Sequence, residues 1–287
     1  MKIKDIPVHV TGPGSQPGAG GDAPLYIDMP SDMEKYDAPL IPEPDEVQHL
    51  EGAREAMSWL QKALAEFQNS PEMQLANLNQ LDEENRELVN QILGEGEVSI
   101  TCTGSLKAMV QESVLAGVWR TFYFDDDDRV AMDLLEVAPV PHVAYTRAEN
   151  MRPVNTAQPL DTQDISNAMP ILVELEDRCV KFDQAGTEHS INLTLLPLSE
   201  EEIEFIDVRL GRGPVDMLSR AYGKCQVIST LTPNVWWVRY YNSMGTLILN
   251  TLEVTSMPQV VAAAAEDLGD SATRLRKILA PYWSDAA

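Results

Sequence analysis

Four adjacent aspartates, Asp125–Asp128, are the residues whose type most directly suggests chemistry, because hard carboxylate oxygens bind calcium and magnesium. Calcium loops, however, space their ligands at alternate positions, and this run is contiguous. At the equivalent position of an internal repeat the chain has Asn242-Ser243-Met244-Gly245, which is typical of a hairpin turn. The sequence therefore predicts that Asp125–Asp128 form an exposed turn that needs no metal.

The three cysteines could act as nucleophiles, redox groups or metal ligands. Cys102, Cys179 and Cys225 are too far apart for a Cys-x-x-Cys motif, and the four histidines are equally scattered, so one chain lacks a complete ligand set for zinc or an iron–sulfur cluster. No histidine neighbours Cys225, which favours packing as a small hydrophobe. One alternative stays open: a redox or iron–sulfur carrier that uses Cys225 and Cys102 across two repeats or across a dimer.

Two glycine pairs resemble fragments of phosphate-binding loops. Gly94-x-Gly96 and Gly211-x-Gly213 do not continue as G-x-G-x-x-G, and each follows a predicted helix, whereas a dinucleotide-binding loop follows a strand. Glycine just beyond a helix is a common left-handed cap. We interpret both pairs as helix stops.

One aromatic strand, residues 235–241, is the best candidate for contact with another protein. Alternation puts Trp236 and Tyr240 on one face, and the repeat has Trp119 and Tyr123 at the same places, which predicts a structural core. The other face is not shared by the repeat, and we expect it either to bind a partner or to meet the sister repeat. The candidate partner-binding residues on it are Trp237, Arg239 and Tyr241.

An internal repeat must position all of these residues. Sliding the chain by 117 residues aligns LGEGEV with LGRGPV, GVWRTFYF with NVWWVRYY, and LLEVAPVPHV with TLEVTSMPQV. The alignment needs no gap over 78–143 against 195–260, and its identities far exceed chance. The body of the protein is therefore predicted to be a tandem duplication.

Each copy has the pattern of one short helix followed by four strands. The helices, over 82–92 and 199–209, start with a capping residue and two glutamates and end at a glycine. The expected unit is a helix packed on an antiparallel β-meander, which gives an α+β fold. The predicted strands are 98–103, 109–114, 118–124 and 130–137 in the first copy, and 215–219, 226–230, 235–241 and 247–254 in the second.

Flanking helices are predicted where apolar residues recur every three or four positions. They cover 46–67, a stretch from about 167 to 182, and 268–282, the last with Asp270 or Ser271 as a possible cap. Proline and glycine punctuate the N-terminal region, which predicts a tail without a core of its own. The predicted organisation is a tail over 1–45, a first repeat over 46–146, a linker over 147–160 and a second repeat over 161–287.

Charge excludes several classes of partner. The 287 residues carry a formal charge of −24, which repels nucleic acid and anionic lipid surfaces. The predicted tail contributes only three lysines and eight acidic residues, so most of the charge lies on the folded body. No apolar stretch approaches the roughly 20 residues that span a bilayer, and MKIKDIPVHV lacks the apolar core of a secretory signal. We expect a cytoplasmic protein that does not insert into a membrane.

Several long strings match one known family in order and spacing. They are LGEGEVS, VQESVLAGVWR, HSINLTLLPLSEEE, LGRGPVDMLSRAYGKCQV, NVWWVRYYNSMGTLILNTLEV and AAEDLGDSATRL. Over roughly 70–280 the chain resembles the HupH family of hydrogenase expression/formation proteins, also called the HyaF and HoxQ group. The resemblance implies an accessory protein that matures a membrane-bound uptake nickel–iron hydrogenase, with no enzyme activity, catalytic residue or cofactor.

The resemblance also implies partners. These are the precursor of the iron–sulfur small subunit before its export by the twin-arginine pathway, and other hydrogenase accessory proteins. An acidic surface would attract the basic segment of a twin-arginine signal peptide, since complementary charge speeds encounter and excludes wrong partners. Three hypotheses therefore compete: a chaperone for the small-subunit precursor, the redox or iron–sulfur carrier, and an enzyme with a site in the cleft between the repeats.

Overall fold

The fold is α+β and is seen in a computed structural model that describes residues 42–104, 106–148, 165–220 and 223–283. Most of the predicted tail and most of the predicted linker lie outside the described residues. The α-helices are α1 (Pro44–Val47), α2 (Glu51–Asn69), α3 (Glu83–Leu93), α4 (His142–Ala148), α5 (Ala168–Ala185), α6 (Glu200–Leu210) and α7 (Ala265–Leu279). Two 3-10 helices cover Leu193–Leu195 and Gln259–Val261.

All strands of the described residues belong to one antiparallel sheet. They are β1 (Gln74–Asn77), β2 (Val98–Cys102), β3 (Lys107–Glu112), β4 (Val118–Phe124), β5 (Val130–Val137), β6 (His189–Asn192), β7 (Arg212–Ser219), β8 (Lys224–Thr230), β9 (Val235–Tyr241) and β10 (Leu247–Val254). The order across the sheet is β1-β5-β4-β3-β2-β7-β8-β9-β10-β6. This order reads the same from either end when each strand is replaced by its repeat mate.

The two repeats are related by a pseudo-two-fold axis through the middle of the sheet. The central pair is β2 with β7, and in its register Ile100 lies opposite Met217. These two residues are also equivalent in the repeat, since they are 117 positions apart. The axis therefore passes between them, perpendicular to the sheet, and the predicted duplication is confirmed with Trp119 on β4 and Trp236 on β9.

The sheet carries apolar clusters on both sides because its strands alternate. One side, which we call the central face, runs across both repeats beneath α4 and the 3-10 helix 259–261. On the other side, α2, α3 and α7 cover the first repeat, and α5 and α6 cover the second. The buried residues of the central face are Val98, Ile100, Cys102, Ala108, Val110, Trp119, Val140, Val143, Ala144, Val215, Met217, Cys225, Val227, Trp236, Val238, Met257 and Val261.

The caps of the short helices follow from the sequence. Asp82 Oδ1 accepts a hydrogen bond from the Asn85 backbone N–H at the start of α3. Ser199 and Glu202 form a reciprocal capping box at the start of α6. Both helices end at a glycine with positive φ, Gly94 and Gly211, as the helix-stop interpretation predicts.

The duplicated unit is larger than a gapless alignment indicates. The buried stripe of α2 matches that of α5 at an offset of 115, from Ala53 with Ala168 to Phe67 with Phe182. The edge strands keep this offset, since Gln74 lies opposite Val137 as His189 lies opposite Val254. The offset becomes 117 at the caps of α3 and α6. The second repeat therefore has two additional residues within the segment 195–198, which a gapless alignment over 78–81 missed.

Several predicted boundaries need correction. The first long helix begins at Glu51, because Leu50 has a non-helical backbone that separates α1 from α2. The last helix begins at Ala265, so Ser271 is no cap: its Oγ donates to the Ala116 carbonyl from within the helix. Helix α4 and the edge strands β1 and β6 were not predicted, because four to seven residues are too few to show a period.

Candidate functional site

Trp237, the first of the predicted partner-binding residues, lies in the core. Its side chain is 2% exposed and packs in the cluster beneath α5 and α6. The indole Nε1 donates to Asn250 Oδ1 at 2.5 Å, and the Arg239 guanidinium lies over the ring at 4.4 Å from its centroid. The expectation that this tryptophan lies on an exposed face is corrected by these contacts, which bury it under its own repeat rather than against the sister repeat.

The repeat explains why Trp237 is not shared. Its mate is Arg120 on β4, and the mate of Asn250 is Asp133 on β5. Arg120 Nε and Nη2 each donate to the Asp133 carboxylate at 2.6 Å, and both side chains are buried. The same two positions thus hold a buried ion pair in one repeat and a neutral indole–amide pair in the other. Reading the two substitutions together would have indicated a paired exchange in the core.

The role of Arg239 and Tyr241 in binding a partner remains a prediction. Both are partly exposed, and Tyr241 lies opposite Leu247 at the end of β9. The Lys224 ammonium is 5.7 Å from the centroid of the Tyr241 ring. These residues lead from the buried Trp237 towards the β9–β10 hairpin tip.

The aspartate run forms the predicted turn. Asp125 Oδ1 accepts hydrogen bonds from the Asp127 and Arg129 backbone N–H groups, each at 2.9 Å. Asn242 Oδ1 makes the same pair of bonds in the β9–β10 hairpin. Asp128 has a positive φ of 56°, where the second repeat has a glycine. Within the described ranges no group of three or more His, Cys, Asp or Glu side chains could hold a metal ion.

The thiol groups of Cys102 and Cys225 are protonated at neutral pH. Burial raises the pKa of the Cys102 thiol to about 12 and that of Cys225 to about 11, so neither is a thiolate at neutral pH. Cys102 lies opposite Val215 on β7 and Cys225 opposite Ser219 on the same strand. Two strands and four residues of register separate their Cα atoms by roughly 16 Å, too far for a disulfide within the chain. The carrier hypothesis gains no support from this geometry.

A pocket of about 420 Å³ lies beside α4, where the repeats meet. Tyr123 and Arg147 are its titratable lining residues, and Arg147 Nη2 donates to the Leu106 carbonyl. Burial raises the pKa of Tyr123, so the phenol stays neutral. The residues that line it therefore offer no carboxylate or activated nucleophile for the enzyme hypothesis.

Two buried carboxyl groups were not predicted. Glu112 and Glu136 flank Trp119 on neighbouring strands of the central face, and burial raises the pKa of each to about 7. Glu136 Oε1 accepts a hydrogen bond from the His142 backbone N–H at the start of α4, at 2.7 Å. The alternating pattern of a strand indicates which residues face the core. A glutamate at such a core-facing position could have been recognised in the sequence as a buried carboxyl group.

These carboxyl groups make stability depend on pH. Because their folded-state pKa exceeds the unfolded value, the folded protein binds more protons, and stability falls as pH rises from about 4.5 to about 7. We expect Glu136→Gln to raise the free energy of unfolding by about 2 kcal/mol at pH 8 and to change it little at pH 4.5. Urea unfolding at both pH values measures this. An equal effect of the substitution at both would contradict the assignment.

Several exposed apolar residues lie on the β9–β10 hairpin and on the neighbouring segment after β6. Leu195 is 79% exposed, Met244 87% and Ile248 55%. The segment is held beside β10, because the Asn250 backbone N–H donates to Thr194 Oγ1 at 2.7 Å. We call this surface the hairpin corner; its residues are Leu195, Leu196, Met244, Leu247 and Ile248.

No helix in the described part of the chain is long and apolar enough to cross a membrane.

Comparisons with known proteins agree on one family. The model of the HupH hydrogenase expression protein, C-terminal conserved region, matches residues 50–158 and again 165–282. The two matches coincide with the two structural repeats.

Curated relatives are similar over nearly their whole length. Hydrogenase expression/formation protein HoxQ of Cupriavidus necator is 40% identical over 97% of this chain and 98% of its own. Hydrogenase expression/formation protein HupH of Rhodobacter capsulatus is 41% identical over 93% and 94%. Hydrogenase-1 operon protein HyaF of Escherichia coli is 29% identical over 94% of each chain.

A solved structure, the hydrogenase expression protein HupH from Thiobacillus denitrificans, is 27% identical and covers 40% of this chain and 96% of its own, with a TM-score of 0.39. The family is shown by the match of its model to both repeats and by the 40% identity to a curated relative over nearly the whole chain. The chain belongs to the HupH family of hydrogenase expression proteins.

Proposed function

We propose that this protein is an accessory protein in hydrogenase maturation and acts in the cytoplasm as a chaperone that binds the precursor of the iron–sulfur small subunit before its export. The observation that carries the proposal is the 40% identity, over almost the whole chain, to a protein named for hydrogenase expression and formation. Other hydrogenase accessory proteins are expected partners in the same role.

The chemistry of the molecule supports binding rather than turnover. Burial raises the pKa of the Cys102 thiol and of the Glu112 and Glu136 carboxyl groups, and the pocket beside α4 lacks an acid–base pair among its lining residues. The chain carries a formal net charge of −24, which favours rapid encounter with a basic segment. A twin-arginine signal peptide is such a segment, and arginine binds carboxylates in bidentate fashion.

We expect the full chain to bind the small-subunit precursor at least about tenfold more tightly than the mature subunit that lacks the signal peptide. Raising the salt concentration should slow association, because screening weakens long-range attraction. Surface plasmon resonance at two salt concentrations measures both. A precursor with both arginines replaced by glutamine is the matched control.

Equal affinity for precursor and mature subunit would remove the signal peptide from the interaction and leave a chaperone that recognises the mature fold. Absence of binding to either form would reject the chaperone. The carrier alternative predicts bound iron and visible absorbance in anaerobically purified protein, whereas the chaperone predicts colourless protein.

A further inference from the structure

The hairpin corner differs from its mate in the first repeat, although the backbone around both is alike. In the first repeat, Asn79 Oδ1 accepts from the Asp133 backbone N–H, as Thr194 Oγ1 accepts from Asn250 in the second. After this shared contact the first repeat reaches the cap of α3 through only two residues, 80–81. The second repeat uses four, 195–198, and the first two of them are exposed leucines.

The hairpin tip has changed in the same direction. The repeat mate of Met244 is Asp127, and that of Ile248 is Ala131. The two turns have the same hydrogen bonds to Asp125 and Asn242, so folding of the hairpin does not require an apolar tip. The second repeat thus exposes two inserted leucines, Met244 and a larger side chain at Ile248, none of which the first repeat has, whereas Leu247 has an exposed apolar mate in Val130.

The size of the hairpin corner indicates what can cover it. Its five side chains expose on the order of 500 Å² together, at the upper end of the largest apolar patch on a typical monomer. A standard interface buries about 800 Å² on each partner, so the corner is small for a stable dimer of this chain. Two copies that each carry a charge of −24 would also repel each other. A peptide segment fits the area better.

Charge next to the corner indicates the ends of that segment. The chain passes from Leu195 and Leu196 directly into α6, whose first residues Glu200 and Glu201 are exposed. On the other side, Lys224 lies over the Tyr241 ring. A segment with basic residues at the α6 end and apolar residues across the hairpin would be matched in charge and hydrophobicity.

We infer that the hairpin corner binds an apolar peptide segment that carries basic residues at one end. The identification of this segment with the signal peptide of the small-subunit precursor rests on the proposed function. The inference that the hairpin corner binds such a segment does not depend on that function. Arg239 and Tyr241 border the corner, and the predicted partner surface is thereby moved from the buried Trp237 to the hairpin tip.

The test uses the full chain and a synthetic fluorescent peptide, a pair of arginines followed by about twelve leucine and alanine residues, in an anisotropy titration. We expect the triple substitution Leu195→Ser, Met244→Ser and Ile248→Ser to weaken binding at least about tenfold. The matched control is Val173→Ser, Val180→Ser and Val208→Ser, on exposed faces of α5 and α6 in the same repeat. It should bind as wild type does.

Charge is tested separately. Glu200→Gln with Glu201→Gln should weaken binding several-fold at low salt and little at high salt.

Failure of the wild-type chain to bind the peptide, or equal binding by the corner triple variant, overturns the inference. A wild-type dimer that the corner variant dissociates in analytical ultracentrifugation also overturns it, since a second copy would then be the occupant. Binding of the synthetic peptide without binding of the precursor would reject the proposed function alone.

Discussion

Asp133→Ala is expected to destabilise the protein by about 3–5 kcal/mol, because it leaves the buried Arg120 guanidinium without its carboxylate. Arg86 adds to the cost, since its Nε lies 3.6 Å from Asp133 Oδ2 and would face Arg120 without the intervening negative charge. Asn90 Oδ1 accepts from Arg120 Nη1, but a neutral amide cannot replace a carboxylate. Denaturant unfolding followed by circular dichroism measures the effect.

The second repeat offers the matched comparison. Asn250→Ala removes the acceptor of the Trp237 indole N–H, a neutral donor, so we expect a smaller loss of about 1–3 kcal/mol. Asp216→Ala, which removes an exposed contact with Gln226, should change stability by less than about 1 kcal/mol. A loss for Asp133→Ala no larger than that for Asp216→Ala would contradict the role of the ion pair. The double variant Arg120→Leu with Asp133→Leu should recover most of the stability.

Gly96→Ala is the second substitution for which we expect a large effect, about 3 kcal/mol or more. A Cβ atom at this position would lie 2.2 Å from the Ser113 carbonyl oxygen and 2.9 Å from its carbon. The Gly96 N–H donates to the Glu112 carbonyl at 2.7 Å, so the two backbones cannot separate without losing that bond. Thermal unfolding of the purified variant measures the loss.

A glycine elsewhere in the chain supplies a control of opposite sign. Gly269 lies inside α7, and the nearest atom to an added Cβ is the end of the Gln68 side chain at 3.4 Å. We expect Gly269→Ala to stabilise the protein by about 0.5–1 kcal/mol, since glycine is a poor helix former. A Gly96→Ala protein as stable as wild type would show that the β2 and β3 backbones can move apart.

The sequence predicts the strands of each meander well because strong alternation and sharp turns border them. β4, β5, β9 and β10 have the predicted bounds. The edge strands β1 and β6 were missed because four residues are too few to show an alternating pattern. The two-residue insertion within 195–198 was missed because the two repeats already align with many identities when no gap is introduced. The periodicity of a single sequence predicts neither which strand an edge strand pairs with nor where one repeat has an insertion.

The candidate site was harder to predict than the fold. Alternation correctly separates Trp236 from Trp237, but both sides of this sheet are covered, so neither face of β9 is a surface over its first half. Whether a face meets solvent depends on helices distant in sequence. The exposed residues of the hairpin corner show no periodic pattern, and comparison with the first repeat is what distinguishes Met244, whose mate is Asp127, and the inserted leucines.

The pseudo-two-fold axis between Ile100 and Met217 has a consequence for how such a protein can evolve. A symmetric dimer of one short chain has two identical corners, and any mutation that makes one apolar makes the other apolar as well. Joining two copies in one chain removes this constraint. One end of the sheet can then carry the acidic turn Asp125–Asp128 while the other carries the exposed apolar residues of the hairpin corner.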